Sequence, residues 1–261
     1  MEGYLIQTIL PFILSALIVI IITIIAEKYG TKIGGIVGTL PSTIIIAFVF
    51  IALNQGLIFA SNSVSVVPAE MGINLLFLFV FAILAYRSAI FGLAGSFIVW
   101  ILLTSILYFS NLQNIYISIL IYAISMVFTL IILEKRVKVK SVGKKKVHYT
   151  PTKILLRGIL TGFVIMISVL LSNVGEVLSG IFTVFPAILS STMIITIREH
   201  GPDFSAGIAK SMIFGSPSVM SYAVCIHFLY PIYGIVWGSV LSLLVAVFIS
   251  YIMFRLKHKI L

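Results

Sequence analysis

Two prolines, Pro41 and Pro186, lie inside apolar stretches and among hydroxyl side chains: Thr39, Ser42 and Thr43 around the first, Thr183, Ser190 and Ser191 around the second. A proline within a helix removes a backbone hydrogen bond and clashes with the preceding turn. In lipid the backbone groups it frees must be satisfied by protein, trapped water or a bound solute. The chemistry this spacing supports is solute binding rather than bond breaking. Two interrupted helices, starting again near Ser42 and Ala187, would offer free N–H groups and positive dipole ends beside hydroxyls. These eight residues form the candidate substrate-binding set. No lysine, arginine or carboxylate is expected beside them, which favours a polar neutral or singly anionic ligand over a cation. The plainer alternative is a pair of kinks whose hydroxyls bond back to their own helices.

Other reactive groups are few. Glu70 stands at the outer start of the third span; a carboxylate inside the membrane is usually functional, but Pro68 and the turn-forming cluster Ser61-Asn62-Ser63 before it favour an external loop. His227 could serve as a proton-linked group, but near the outer end of its span it reads rather as an interfacial residue like Tyr230, and Asn74 as an interhelical hydrogen-bonding group. The scarcity of intramembrane acids argues against a proton-driven pump of the carboxylate type. The sequence has no H-E-x-x-H pair, G-x-S-x-G elbow or Walker A loop. Its lone cysteine, Cys225, excludes a disulfide framework or thiolate cluster. No catalytic residue, metal site or cofactor is therefore expected.

The elements that must position these groups follow from composition. Of 261 residues 61% are hydrophobic and 9% charged, far from the quarter charged of a soluble domain. The expected class is an all-α polytopic membrane protein of about nine transmembrane helices at roughly 20 residues each. The predicted spans are Tyr4–Ala26, Ile33–Leu53, Glu70–Tyr86, Ala89–Phe109, Ile115–Leu133, Ile154–Ser172, Val177–Ile197, Ala206–Leu229 and Ile232–Phe254. With loops alternating across the membrane, every lysine and arginine falls on one side: Lys28, Lys32, Arg87, the basic run Glu134–Arg157, Arg198, Lys210, Arg255, Lys257 and Lys259. The positive-inside rule then sets a multi-pass cell-membrane protein with its N-terminus outside and C-terminus cytoplasmic. The same placement assigns the net charge of +10 to topology rather than to nucleic acid.

Sliding the chain by about 145 residues superposes Gly30 on Gly175, Gly35 on Gly180, Ile36 on Ile181, Pro41 on Pro186 and Gly56 on Gly201. A second block follows, Phe91-Gly92-Leu93 over Tyr233-Gly234-Ile235. Equivalent helices lie an odd number of spans apart, so the halves point in opposite directions, a 4+1+4 inverted repeat of the kind secondary transporters use. The implied organisation is a first four-helix repeat over 1–110, a connector helix and basic loop over 111–150, and an inverted second repeat over 151–261. Glycines at Gly34, Gly35, Gly38 and Gly180 permit close helix approach near the prolines.

The stretch S-G-I-F-T-V-F-P-A-I-L-S, with R-E-H-G and then S-M-I-F-G, resembles the GlpM-like family of small bacterial membrane proteins. The likeness covers roughly Ile154 to Tyr251. The first half departs from it, with Leu40 in place of the phenylalanine before proline and no I-F-G. The resemblance implies a four-span unit, here duplicated and fused. That family is named for an association with exopolysaccharide production. Two functions are thus expected to compete. One is a small secondary transporter or facilitator of a polar or anionic solute working by alternating access. The other is a non-transporting scaffold or assembly partner in envelope or polysaccharide biogenesis. Expected partners are the lipid bilayer, a small solute and a second copy of the chain in a homodimer, without nucleic acid.

Overall fold

Long runs of Ile, Leu, Val and Phe must satisfy their backbone internally in lipid, and a helix does so within one segment. The computed structural model describes residues 2–37, 40–137, 139 and 149–260, with side chains over 7–25, 40–137, 139 and 149–256. Among these residues α-helix is the regular structure throughout, with no strand. In chain order the helices are α1 (Glu2–Val37), α2 (Ser42–Gln55), α3 (Leu57–Val64), α4 (Val67–Leu84), α5 (Ala89–Phe109), α6 (Ile115–Lys135), α7 (Pro151–Leu171), α8 (Glu176–Thr183), α9 (Ala187–Gly215) and α10 (Pro217–Ile260). Starts are set by local chemistry. Ser88 caps α5 by accepting from Phe91 N–H, and Asn114 caps α6 by accepting from Tyr116 and Ile117 N–H. Thr150 caps α7, whose first residue is proline.

Glycine controls where the chain reverses. Gly56 (φ 91, ψ 167), Gly201 (φ 82, ψ 179) and Gly234 (φ 72, ψ −175) occupy a backbone region essentially closed to other residues. Gly201 and Gly234 each fold a continuous helical run back on itself. Across Gly201, the Thr196 and Ser205 hydroxyls meet at 2.8 Å. Across Gly234, Tyr230 OH meets Ser239 Oγ at 2.8 Å and Ser218 Oγ donates to Ala246 O at 2.9 Å. Along a straight helix, residues 218 and 246 would be about 42 Å apart.

Six helical stretches among the described residues are long and apolar enough to cross a membrane, and α2 is a shorter apolar helix. About nine spans were expected, and six stretches are counted, one of them the 81-residue run Glu176–Leu256 that holds both glycine reversals. Gly201 and Gly234 reverse the chain within one residue, so the helices on either side of each run on as one stretch from Glu176 to Leu256. At the other end α1 continues as helix through Glu27–Lys32, where a loop was expected, and no new helix begins at Ile33. The predicted third span, Glu70–Tyr86, is the helix Val67–Leu84 with α3 leading into it.

Surface and interior are inverted relative to a soluble protein. Ile98, Leu102, Leu120, Ile124, Val236 and Phe248 face outward, whereas Ser96, Thr104, Ser118, Thr129, Ser168 and Ser242 are buried. With the apolar helices this marks a membrane-embedded, multi-pass protein. The most enclosed helix is α4, packed by α5, α6 and α9. Helix α1 packs chiefly on α7, where Gly158 and Gly162 let the backbone of Phe12 and Ala16 approach. That pair is a small-xxx-small seam.

Candidate functional site

The two prolines adopt nearly the same backbone geometry, Pro41 at φ −76, ψ 47 and Pro186 at φ −75, ψ 37. Both close a tight three-residue turn. Ser42 N–H donates to Leu40 O at 2.8 Å and Ala187 N–H donates to Phe185 O at 2.7 Å, close to an inverse γ-turn. Helical bonding resumes at once, from Ile45 N–H to Pro41 O and from Ser190 N–H to Pro186 O. The new helices start at Ser42 and Ala187, as the sequence predicts, and neither has a side-chain cap. Their first N–H groups therefore have no intrahelical acceptor.

Both prolines are buried, but they have different surroundings. Helix α2 packs against α1, α3 and α7, whereas α9 packs mainly on α4, so the two post-proline helices make little contact with each other. Thr39 lies outside the described residues. Thr183 Oγ1 donates to Gly180 O at 2.6 Å, Ser190 Oγ to Ala187 O at 3.1 Å and Ser191 Oγ to Ile188 O at 3.1 Å. These three hydroxyls spend their protons on their own helices and face a ligand only as acceptors. Ser42 and Thr43 are half-buried.

What stands opposite the Pro186 turn is α4. Asn74 Nδ2 donates to Val184 O at 2.7 Å, which meets the expectation that Asn74 binds another helix. Its Oδ1 is buried and unpaired. One turn earlier on the same face is Glu70, fully buried in the first turn of α4. The expected external-loop position is thereby corrected. Pro68 stands at the very start of α4, where a missing N–H is harmless, so it opens a helix instead of marking a loop. Thr104 Oγ1 of α5 lies 3.0 Å from both Glu70 oxygens. Trp100, one turn before Thr104, sets its buried and unpaired indole N–H beside the same carboxyl group. The Trp100 ring meets Phe185 edge-on at 4.9 Å, next to Pro186. The expectation of no carboxylate near the prolines is thus corrected at Pro186, to which Trp100 and Phe185 link Glu70.

Trp100 and Thr104 were not singled out by sequence. The signal was there: Ser96, Trp100 and Thr104 repeat at four-residue spacing on the buried face of an otherwise apolar helix.

The two ends of the bundle differ. At one, Gln55 donates to Asn173 at 2.8 Å, while Asn62 and Gln113 each donate to Glu176 at 3.0 Å. Ser61 donates to His227 O, and His227 Nδ1 meets Ser61 O at 2.8 Å. His227 is thus engaged with α3 at this end, whereas Tyr230 is fully buried on Ser239, which corrects the interfacial reading of Tyr230. At the other end Tyr86 donates to Asp203 at 2.8 Å, Lys153 pairs with Glu199, and the buried Lys210 pairs with Glu134 at 2.6 Å. Connections that the sequence assigns to a single side are joined to one another in each case. Among the described residues no three His, Cys, Asp or Glu side chains gather as metal ligands do. Set against known protein families, curated proteins and solved structures, the chain matches none of them.

Proposed function

We propose that this chain is a small secondary carrier or facilitator of a polar solute, working by alternating access between two inverted halves. The observation that carries this reading is the paired backbone. Each half runs helix, proline turn, helix, glycine reversal, helix, serine break, helix. Pro41 and Pro186 share one conformation, Gly56 and Gly201 share another. Ser65 and Ser216 break the next helix at φ −63 and −60, each donating its hydroxyl three residues back. Divided at the glycine reversals, with the proline and serine breaks kept inside spans, the described helices make eight legs; the run from Glu2 to Gln55, at roughly 80 Å too long for one crossing, is taken as two, which gives nine. The positive-inside rule then sets the N-terminus outside and the C-terminus cytoplasmic. Two broken helices with uncapped N-termini suit a polar solute near the midplane. With Glu70 linked to the Pro186 turn through Trp100 and Phe185, an anion is admitted there only when that carboxyl group is neutral. On this reading the likeness to the GlpM family reflects a shared four-span unit, and no bond-making chemistry is involved.

The test is reconstitution into liposomes with a panel of polar neutral and anionic metabolites, comparing wild type with P41A, P186A and the double variant. The carrier reading expects flux of at least one solute, reduced in each single variant. Normal flux in all variants would reduce the prolines to kinks, and no flux of any solute by inserted protein would favour the scaffold.

A further inference from the structure

We propose that Glu70 is a reversible proton-binding site, with Thr104 and Trp100 as the groups that accommodate its two states. Coupling of that proton to solute movement rests on the carrier reading, whereas the proton site itself does not.

The argument starts from charge balance. Glu70 is sealed from water and accepts from a single hydroxyl. A buried carboxylate without a cation is costly and is relieved by a proton or a counter-ion. Among the described residues the surrounding helices supply no counter-ion. Helix α5 carries no charged residue. On α6, Tyr122 bonds Ser216 and Glu134 pairs with Lys210 of α9. On α8, Glu176 is held by Asn62 and Gln113. On α9, Asp203 takes Tyr86 and Glu199 takes Lys153, while Arg198 and His200 lie at that same Gly201 end. On α10, Tyr222 and Cys225 are neutral groups, His227 is engaged with Ser61 and Tyr230 with Ser239. Among the described residues only Thr104 and Trp100 act on the carboxyl group.

The same two neighbours choose a proton over a metal ion. Trp100 N–H is donor only and cannot ligate a cation. The Thr104 hydroxyl can reverse. It donates to the ionised carboxylate and, after rotation, accepts from the protonated acid. Uptake forms one O–H bond on Glu70 and breaks one on hydronium. The indole N–H, unpaired in this geometry, gains an acceptor when the carboxyl group is charged and moves toward it. Trp100 contacts Phe185 and Asn74 holds Val184 O, so a shift at Glu70 reaches the Pro186 turn through two adjacent residues. A carrier built this way takes a proton with an anion, since the neutral acid removes the repulsion at the turn.

The chain itself provides the reporter. It has two tryptophans, and Trp237 is 64% exposed on the outer face of α10. In a W237F background the emission of Trp100 is followed against pH in the intact, purified protein, without any solute or flux. The expected result is a one-proton transition that is absent from W237F/E70Q and displaced in W237F/T104V. Alongside it, the carboxylic-acid C=O infrared band of W237F should disappear over the same pH range. A transition that persists in W237F/E70Q, a carboxyl band that never titrates, or a response to Na⁺ at fixed pH in place of a response to protons would overturn the proposal. If E70Q does not fold, the T104V displacement and the infrared band still decide it. Absence of flux with this transition intact would count against the carrier alone.

Discussion

The tightest approach between distant segments is at Gly180, and it gives a sharp test of the packing. A Cβ built on Gly180 would land on the carbonyl oxygen of Ser63, with Val66 Cγ1 2.7 Å away. Backbone oxygen cannot rotate aside as a side-chain end can, so α8 must retreat by roughly 1 Å to admit a methyl group. That retreat would also stretch the bonds by which Asn62 and Ser63 hold Glu176 at the start of α8. Overpacking of this kind costs about 1–3 kcal/mol. At about 2–4 °C per kcal/mol for a chain of this size, the Tm of G180A should fall by roughly 2–12 °C. The control is G175S. Gly175 is extended at φ 169, has open space around its Cβ position and caps α8, a place where serine is favoured. Thermal unfolding in detergent, followed by intrinsic fluorescence, should show G180A well below wild type and G175S equal to it or slightly above. Equal midpoints for G180A and wild type would refute the close crossing of α8 over the break between α3 and α4.

Two further outcomes are expected. In an ordinary helix interior, glycine to alanine stabilises by about 1 kcal/mol, but G201A and G234A should each destabilise by about 1–3 kcal/mol, because the reversals need a glycine-only conformation. A rise in Tm for either would mean an unbroken helix. The Tyr86 phenol is pushed up to about 12, first by burial and then by Asp203. The folded chain therefore keeps this proton after an unfolded one has lost it, so the contact stabilises fully below about pH 10 and the benefit vanishes as pH rises through 12. In tyrosinate absorbance D203N should bring one phenol back toward ordinary titration; superposable curves would remove the contact.

Helix content and the proline turns were legible because both rest on local rules: apolar runs need internal hydrogen bonds, and proline cannot supply one. The reversal at Gly201 was legible too, since glycine and polar residues meet there. The position of Glu70 was not, because Pro68 and Ser61-Asn62-Ser63 carry the same letters whether they open a loop or join two packed helices. Only the neighbours Thr104 and Trp100 decide, and they are distant in sequence. The continuation of α1 past Glu27 was hidden for a similar reason, as charges mark a membrane boundary without ending a helix. The seam Gly158-x-x-x-Gly162 is written in the sequence as two glycines four residues apart, but their spacing does not say which helix they receive.

That seam has a consequence for how the protein is made. The face of α1 that Gly158 and Gly162 receive is synthesised roughly 140 residues before them, on the order of ten seconds earlier at ordinary ribosomal speed. During that interval α1 has lipid where its partner will be. Its segment Gln7–Ile25 is the most apolar of the six crossing stretches, which suits a helix that must wait alone in the bilayer. Its small and hydroxyl residues Ser15, Ala16 and Thr23 become buried only after α7 and the other helices arrive. A variant that weakens the seam should therefore leave insertion of α1 intact and show its defect later, as newly made chains that are inserted but remain open to membrane quality-control proteases.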